Sequence, residues 1–442
     1  MLFYQLMKIE NKALTYKKIF TFWYPLAASW LMMGLEGPFL AAIIARLAAP
    51  KYNLAAFGVA FSFALIVEAP IIMLMSASTA LCKNRDAFYK LLRFTTILNV
   101  TITGLMLILV IPPVFYFIGE GLIELPHYVA RLTHWALILL LPWPAAIGIR
   151  RFYQGILIRC NLTRRVTYGT IIRLCTMAAA ALILYSLKVT GAYVGAAALS
   201  LGVIGESIAI RFMAHNARKE LTQTIPSNED KKKPLTYTFI SKFYYPLALT
   251  SILSLGVHPM VTFFMGKSRF AIESLAVLPV INVLIFMFRS FGLSFQEVVI
   301  ALMIDKKTRY IQLRNFAFFM GVAVTGGLSF VAFTPMANIW FHHISGLSLE
   351  LTSFAYLPTQ ILVLLPASAV LISFQRGILV NIKNTGPITW ATAIEVGIII
   401  GVLYVTITHL DFVGVTAAAW AYTIGRICAN VYLFPHQVRA IR

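Results

Sequence analysis

The sequence predicts an all-α membrane protein in which about twelve transmembrane helices form two related six-helix lobes. Of its 442 residues, 60% are hydrophobic and only 12% are charged, whereas a soluble domain carries about 25% charged residues. Apolar runs of about twenty residues recur from end to end, and a helix of that length spans the roughly 30 Å of a hydrocarbon core. Because lipid offers the backbone no hydrogen-bond partners, such runs favour helices.

The apolar runs define the predicted spans. In chain order they cover residues 20–45, 54–81, 94–118, 134–158, 166–187, 193–214, 242–265, 272–303, 315–340, 353–380, 388–408 and 413–434. The first run lacks a small-residue cleavage site, so we expect a retained first span and not a signal peptide.

Basic residues orient these spans, because Lys and Arg collect in cytoplasmic loops. With the amino terminus inside, the inner segments contain 24 of the 37 basic residues and the outer loops contain six. Both termini are therefore predicted to be cytoplasmic, in a plasma membrane or a bacterial inner membrane. Topology accounts for most of the net charge of +21. The basic inner rim would also attract anionic membrane lipid, nucleic acid is not an expected partner, and we expect a monomer.

The two halves are predicted to be copies of each other. Residues 22–27, FWYPLA, return as 243–248, FYYPLA, at an offset of 221, and GIL at 155–157 returns at 377–379 at an offset of 222. Since an even number of spans separates the copies, they share one orientation about an axis normal to the membrane, and such halves usually enclose a cavity. We assign three regions: an N-terminal lobe at 1–214, a cytoplasmic linker at 215–241 and a C-terminal lobe at 242–442.

Motifs for catalysis and for metal binding are missing from the sequence. The four cysteines have no metal-ligand or disulfide spacing and are predicted to be packing residues: Cys82, Cys160, Cys175 and Cys428. There is no glycine-rich phosphate loop, no His-Glu-x-x-His and no nucleophile elbow. We therefore expect neither an enzyme nor a bound cofactor.

Ionisable residues inside the spans are the candidates for function, because a charge in a bilayer costs several kcal/mol unless it is paired or faces water. Seven are basic: Arg150, Arg151, Arg173, Arg211, Arg289, Arg376 and Arg426. Five are acidic: Glu36, Glu68, Glu206, Glu297 and Glu395. The repeat aligns Glu68 with Arg289, and it aligns Arg173 with Glu395. We predict that these four charges are shielded from lipid and that at least one forms an ion pair, in a transport site or for structure alone.

The excess of basic over acidic residues in the spans predicts an anionic cargo. Arginine stays protonated, and its planar fork donates paired hydrogen bonds to carboxylates and phosphates. We predict alternating access to a site that binds a small anion through Arg150, Arg151, Arg173, Arg289, Arg376 and Arg426. Adjacent helical residues point about 100° apart, and we favour Arg151 over Arg150. Arg211, near the cytoplasmic end of its span, is predicted to be an interfacial anchor.

Acidic residues and one histidine are candidates for coupling transport to a proton or to sodium. Glu36 lies between Gly34 and Pro38, where glycine and proline can break the first helix, and a carboxylate there is a candidate proton carrier. The repeat places His258 at the matching position. We assign the following residues to coupling or to ion pairs: Glu36, Glu68, Glu206, Glu297, Glu395 and His258.

Several motifs resemble the progressive ankylosis protein family. They are LAAFGVAFSF at 54–63, KNRD at 83–86, FYYPLAL at 243–249, and HPMV at 258–261 followed by KSR at 267–269. His258 departs from the arginine of that family. The resemblance implies the fold of the MATE-like multidrug, oligosaccharide-lipid and polysaccharide exporter superfamily, with two six-helix lobes. It also implies export of small organic anions such as pyrophosphate, nucleotides or citrate.

Three other functions stay open at the level of sequence. A proton- or sodium-coupled multidrug antiporter of the same fold would bind cations through acids such as Glu36 and Glu68, and cationic dyes would compete for its site. A lipid-linked saccharide flippase would need a lateral groove for its polyprenyl tail. A scaffold that transports nothing is the third alternative.

Overall fold

The computed structural model describes residues 14–224, 235–303 and 308–441, and the regular elements among them are helical. The predicted all-α membrane-protein fold class is confirmed. Ten helical segments of the described chain are long and apolar enough to cross a membrane, or up to eleven if the bent pair His127–Leu139 and Trp143–Arg159 is one span. Four of the ten segments each include two of the helices named below. The middle of the predicted linker, 225–234, lies outside the described residues.

Helices correspond to all six predicted spans of the first half. In chain order they are α1 (Tyr16–Gly34), α2 (Glu36–Ile44), α3 (Pro50–Glu68), α4 (Leu74–Leu81), α5 (Arg85–Val110), α6 (Pro112–Tyr116), α7 (His127–Leu139), α8 (Trp143–Arg159), α9 (Thr163–Ser186) and α10 (Gly191–Met213). The first four predicted spans are each broken into two helices. A short helix that enters the predicted linker follows, α11 (His215–Gln223).

The second half repeats this order, except that its first span is one continuous helix. Its helices are α12 (Tyr237–Met265), α13 (Ala271–Leu293), α14 (Phe295–Leu302), α15 (Thr308–Phe333), α16 (Met336–Asn338), α17 (Leu349–Ile361), α18 (Leu365–Asn381), α19 (Gly386–Thr408) and α20 (Gly414–Ile441). This series of helices fits a two-lobed fold with twelve spans, in which α20 corresponds to the twelfth predicted span.

Local residue chemistry explains several helix ends. The Asn84 side chain accepts a hydrogen bond from the Ala87 amide at 3.0 Å and so caps the start of α5. Ser348 caps α17 in the same way through the Leu351 amide at 3.2 Å. Pro70 lies in the 3₁₀ turn that separates α3 from α4, where a proline cannot continue the α-helical hydrogen bonding.

Backbone geometry repeats between the halves as the sequence does. Among the described residues, eight have left-handed backbone angles, and they pair at offsets of 221 to 223: Ala49 with Phe270, Glu124 with Gly346, Asn161 with Lys383, and Lys188 with Asp411. The π-helical turns Phe117–Leu122 and Ile339–Ile344 also correspond, at an offset of 222. Seven of those eight residues are not glycine, so each is an unusual conformation that recurs in both halves. The duplication therefore extends from sequence motifs to backbone detail.

The described chain forms two compact units. We call Met32–Ser251 unit A, and we call the described residues of Met1–Leu31 together with Ile252–Arg442 unit B. The divisions fall inside α1 and inside α12, which are the first helices of the two copies. Each unit thus includes the beginning of the other half of the sequence.

Glycines allow close helix contact at equivalent positions in the two units. A β-carbon on Gly155 of α8 would lie 1.9 Å from Ser78 Oγ and 2.5 Å from the Met75 carbonyl oxygen of α4. A β-carbon on Gly377 of α18 would lie 2.7 Å from Val299 Cβ of α14. The matching glycines of the repeat therefore have a packing role.

We expect Gly155→Ala to destabilise the folded protein by about 1–3 kcal/mol, because the added methyl group would overlap the α4 backbone. The measurement is thermal unfolding of the purified protein in detergent. Gly104→Ala is the matched control, since a β-carbon there meets nothing within 4 Å. Equal melting temperatures for the two variants would contradict the packing role.

Candidate functional site

Buried charges of unit A gather around Glu206 of α10. Arg150 Nη1 lies 2.6 Å from Glu206 Oε2, and Gln154 Nε2 donates to Glu206 Oε1 at 3.0 Å. Arg173 Nη2 lies 2.5 Å from Glu36 Oε2, and Arg173 Nη1 lies 3.7 Å from Glu206 Oε2. All five residues are buried. Arg173 thus contacts acids on α2 and α10 of its own unit.

Small residues bring these helices together. A β-carbon on Gly202 of α10 would lie 3.1 Å from the Arg173 carbonyl oxygen, and one on Gly205 would lie 2.9 Å from Thr176 Oγ1. The backbones of α9 and α10 therefore approach closely, which places Glu206 beside Arg173. Arg150 and Gln154 are four residues apart on α8 and so share one face of that helix.

Two further charges belong to this group. Glu68 ends α3 and is only 5% exposed, and in the described part of the chain its Oε2 has no hydrogen-bond partner. It interacts electrostatically with Arg150, Arg151 and Arg173. Arg151 is buried, with Nη1 3.7 Å from the sulfur of Met75. The unit A cluster is therefore Glu36, Glu68, Arg150, Arg151, Gln154, Arg173 and Glu206, with three carboxylates against three guanidiniums.

Unit B holds a cluster of different charge. Arg426 Nη2 lies 2.9 Å from Glu395 Oε1, and Arg376 Nη2 donates to Thr392 Oγ1 at 2.8 Å. Arg289 interacts electrostatically with all three of these charged residues, but it forms no ion pair within the described residues. The unit B cluster, Arg289, Arg376, Glu395 and Arg426, thus has three guanidiniums against one carboxylate and a net charge of +2.

Hydrogen-bond donors remain available in the unit B cluster. In the described part of the structure, the Nε atoms of Arg289, Arg376 and Arg426 and the hydroxyl of Tyr422 are buried without hydrogen-bond partners. The three arginines as whole residues are partly exposed. Tyr422 is near enough to Arg289 to interact with it electrostatically. The cluster can therefore offer several donors to an oxyanion.

The internal repeat relates the two clusters with inverted charge. Glu68 aligns with Arg289 at an offset of 221, Arg173 aligns with Glu395 at 222, and Glu36 aligns at 221 with Val257, the neighbour of His258. Two further correspondences relate the clusters, Gln154 with Arg376 at 222 and Glu206 with Arg426 at 220. The five aligned positions have three acids and one arginine in unit A, and three arginines and one acid in unit B. Their formal charges are −2 in unit A and +2 in unit B.

Two arginines restore neutrality in unit A. Arg150 and Arg151 align with the uncharged Ile372 and Ser373 at an offset of 222. Unit A therefore has two guanidiniums that unit B lacks. The match of Ile204-Gly205 with Ile424-Gly425 at an offset of 220 was the signal that could have located the Glu206 and Arg426 pair.

The remaining predicted residues lie elsewhere. His258 is exposed on α12 and interacts electrostatically with Arg289. Glu297 is buried in the first turn of α14, and Arg211 is exposed near the end of α10. The roles assigned to these residues stay predictions.

Cysteine chemistry does not contribute to either cluster. Cys82 and Cys160, which follow α4 and α8, are buried. Burial raises the pKa of the Cys82 thiol to about 12 and that of Cys160 to about 11, although Arg159 lowers both. The reactive thiolate forms are therefore disfavoured at neutral pH. Within the described residues, no group of three or more His, Cys, Asp or Glu side chains could hold a metal ion.

Solved structures that are similar to this chain include transporters. The chain matches an outward-facing multidrug resistance MATE family transporter of the MOP superfamily with a TM-score of 0.77 and 17% identity, covering 96% of this chain and 95% of the other. A Vibrio cholerae MATE transporter, VcmN, matches with a TM-score of 0.76 and 15% identity over 96% and 97% of the two chains.

A third similar structure is a MOP superfamily transporter from Pyrococcus furiosus, with a TM-score of 0.77 and 17% identity over 96% of this chain and 95% of that chain. Its description states that reverse polarity of its binding pocket suggests a different function. Comparisons with protein-family models and with curated proteins gave no match. The structural likeness shows that this chain has the MATE transporter fold.

Proposed function

We propose that this protein is a secondary-active membrane transporter that exports small organic or phosphate-containing anions by alternating access. The observation that carries the proposal is the net charge of +2 in the unit B cluster, where Arg289 has no ion pair among the described residues. An excess of positive charge within membrane spans is unfavourable unless it faces water or binds a counter-charge. An anionic cargo supplies that counter-charge.

Unit B is the better candidate for the anion site because its arginines outnumber its acids. In unit A, Arg150 and Arg173 already contact the carboxylates of Glu206 and Glu36. In unit B, Glu395 pairs with Arg426, so the positive charges of Arg289 and Arg376 are left uncompensated within the cluster. A guanidinium fork suits carboxylate and phosphate oxygens, and each charge-assisted hydrogen bond contributes about 1.5–3 kcal/mol.

We propose the class of cargo from the sequence resemblance together with the net positive charge of the unit B cluster. Membership of the progressive ankylosis family, which we also propose, implies citrate, pyrophosphate or a nucleotide. The description of the Pyrococcus furiosus transporter supports the idea that binding-pocket polarity varies among proteins of this fold. The proposal also includes two lobes at 1–214 and 242–442, cytoplasmic termini, a monomeric state, contacts with membrane lipid, and coupling to protons or sodium.

A cation antiporter is the second candidate function. It is favoured by the three carboxylates of the unit A cluster and by the multidrug resistance transporter among the similar structures. The two functions differ in the charge of the cargo. A lipid-linked saccharide flippase of the same fold stays a weaker alternative, because this function does not explain the charged residues of either cluster.

Transport by purified protein in proteoliposomes tests the proposal. We expect uptake or efflux of labelled citrate or pyrophosphate above that of protein-free vesicles, with no competition by a cationic dye. Each cargo is measured with and without a pH gradient. Transport of the dye without transport of any anion would contradict the proposal and support the cation antiporter.

A further inference from the structure

Glu68 and Arg289 occupy the same position in the two copies of the repeat, and each lacks an ion pair within the described residues. In unit A, Glu36 Oε2 lies 2.5 Å from a guanidinium nitrogen of Arg173, and Glu206 Oε2 lies 2.6 Å from one of Arg150. Glu68 has no comparable contact. Of the three carboxylates in the unit A cluster, Glu68 is therefore the one that can lose its charge without breaking an ion pair.

Several charged residues interact with Glu68. Arg150 and Arg151 of α8 and Arg173 of α9 all act on Glu68 electrostatically. The carboxylates of Glu36 on α2 and Glu206 on α10 complete the cluster.

Two polar aromatic groups lie on other helices in contact with this region. On α7, His134 makes a hydrogen bond of 2.7 Å between its Nε2 and the Val110 carbonyl oxygen. On α12, the Tyr244 hydroxyl donates to the carbonyl oxygen of Pro70, in the turn that directly follows Glu68. Both groups thus have partners of their own.

The site has one feature that favours the neutral form of Glu68 and another that favours its ionised form. Its Oε2 is buried without a hydrogen-bond partner in the described structure, and an ionised carboxylate is costlier to bury in that way than a neutral acid. Three nearby guanidiniums act in the opposite direction, because they favour the carboxylate. Proton binding would change the unit A cluster from neutral to a net charge of +1.

The other two acids are unsuited to this change. Protonation of Glu36 would remove the carboxylate that Arg173 contacts, and protonation of Glu206 would leave Arg150 without its counter-charge. A buried guanidinium without a partner is strongly unfavourable. The acid available for reversible protonation is thus on α3, and not beside the break in the first span where the sequence favoured Glu36.

We propose that Glu68 binds and releases the proton that is coupled to transport. The coupling to transport in this inference rests on the proposed function. The protonation of Glu68 does not, because the site itself requires only that Glu68 change its protonation state. One proton binds to one carboxylate oxygen and forms an O–H bond, which breaks again when the proton is released, and no other bond changes. The anion site of unit B and the proton site of unit A would then use equivalent repeat positions with opposite charge.

The first test uses infrared spectroscopy of the purified full-length protein in the absence of cargo. During a pH titration, we expect a carboxylic acid band that changes with pH in the parent and is missing in Glu68→Gln. Glu350→Gln, at an exposed position in the first turn of α17, is the control and should keep the band. A band that persists unchanged in Glu68→Gln would overturn the proposal.

The second test uses proteoliposomes with labelled citrate and pyrophosphate. We expect Glu68→Gln to keep anion exchange in the absence of a gradient and to lose stimulation by a pH gradient. Full stimulation in this variant, or stimulation of the parent by a sodium gradient and not by a pH gradient, would overturn the assignment. If no anion is transported by the parent, the proposed function fails, whereas the infrared result still decides whether Glu68 titrates.

A second substitution keeps the proposal testable if Glu68→Gln does not fold. Glu68→Asp retains an ionisable group at a shorter reach. We expect its infrared band to remain, displaced along the pH titration relative to the parent. An identical titration in Glu68→Asp and the parent would show that the band belongs to another carboxyl group.

Discussion

Arg289→Gln and Arg376→Gln should each weaken binding of the cargo anion by roughly tenfold or more. Each substitution removes a guanidinium that donates charge-assisted hydrogen bonds worth about 1.5–3 kcal/mol, and 1.4 kcal/mol corresponds to about a factor of ten. Lysine at either position should restore binding only in part, because it keeps the charge and loses the planar fork. The measurement is the concentration dependence of citrate and pyrophosphate transport in proteoliposomes.

The matched control for these variants is Arg211→Gln, which makes the same change at an exposed position near the end of α10. It should transport at the parental rate. Arg151→Gln tests the sequence-based preference for Arg151. If Arg151→Gln lowers anion affinity and the Arg289 and Arg376 variants do not, the anion site belongs to unit A and our assignment to unit B is wrong.

Glu206→Ala should destabilise the folded protein by about 3–5 kcal/mol. The substitution removes the counter-charge that lies 2.6 Å from Arg150 Nη1 and the acceptor that Gln154 contacts at 3.0 Å. Glu206 is completely buried, and removing one partner of a buried ion pair leaves the other charge uncompensated. The free energy of unfolding can be measured by titration with a denaturing detergent.

Two further variants separate loss of the ion pair from loss of a side chain. Glu350→Ala removes an exposed carboxylate and should leave the stability unchanged within error. The double variant Arg150→Leu with Glu206→Leu removes both charges and should regain most of the stability lost in Glu206→Ala. A Glu206→Ala protein as stable as the parent would contradict the structural role of this pair.

The two clusters have opposite charges at the positions that the repeat aligns. Two copies of one helix arrangement place ionisable residues at equivalent positions, and substitution of single residues then changes the sign of each site. Arg150 and Arg151 have no charged equivalents in unit B, and they bring unit A close to neutrality. The anion preference proposed for this protein thus follows from the excess of positive charge in the unit B cluster and not from the total number of arginines.

The sequence by itself determined the fold class, the number of predicted spans and the duplication. Apolar runs long enough to cross a bilayer specify helices because lipid cannot hydrogen-bond to the backbone. Repeated motifs at offsets of 220 to 222 identified the two copies, and they aligned Glu68 with Arg289. The intramembrane charges could be found in this way, because each one stands out in an apolar run.

Only the tertiary structure decided which of those charges are paired. Arg173 and Glu36 are separated by 137 residues in the chain, yet their side-chain atoms lie 2.5 Å apart. Hydropathy locates a residue along its helix, but it does not determine the direction in which the side chain points or which helix lies next to it. Those depend on close packing at residues such as Gly202 and Gly205, where α9 and α10 meet. Packing therefore decides that Arg150, Arg173 and Arg426 form ion pairs, while Glu68 and Arg289 form none within the described residues.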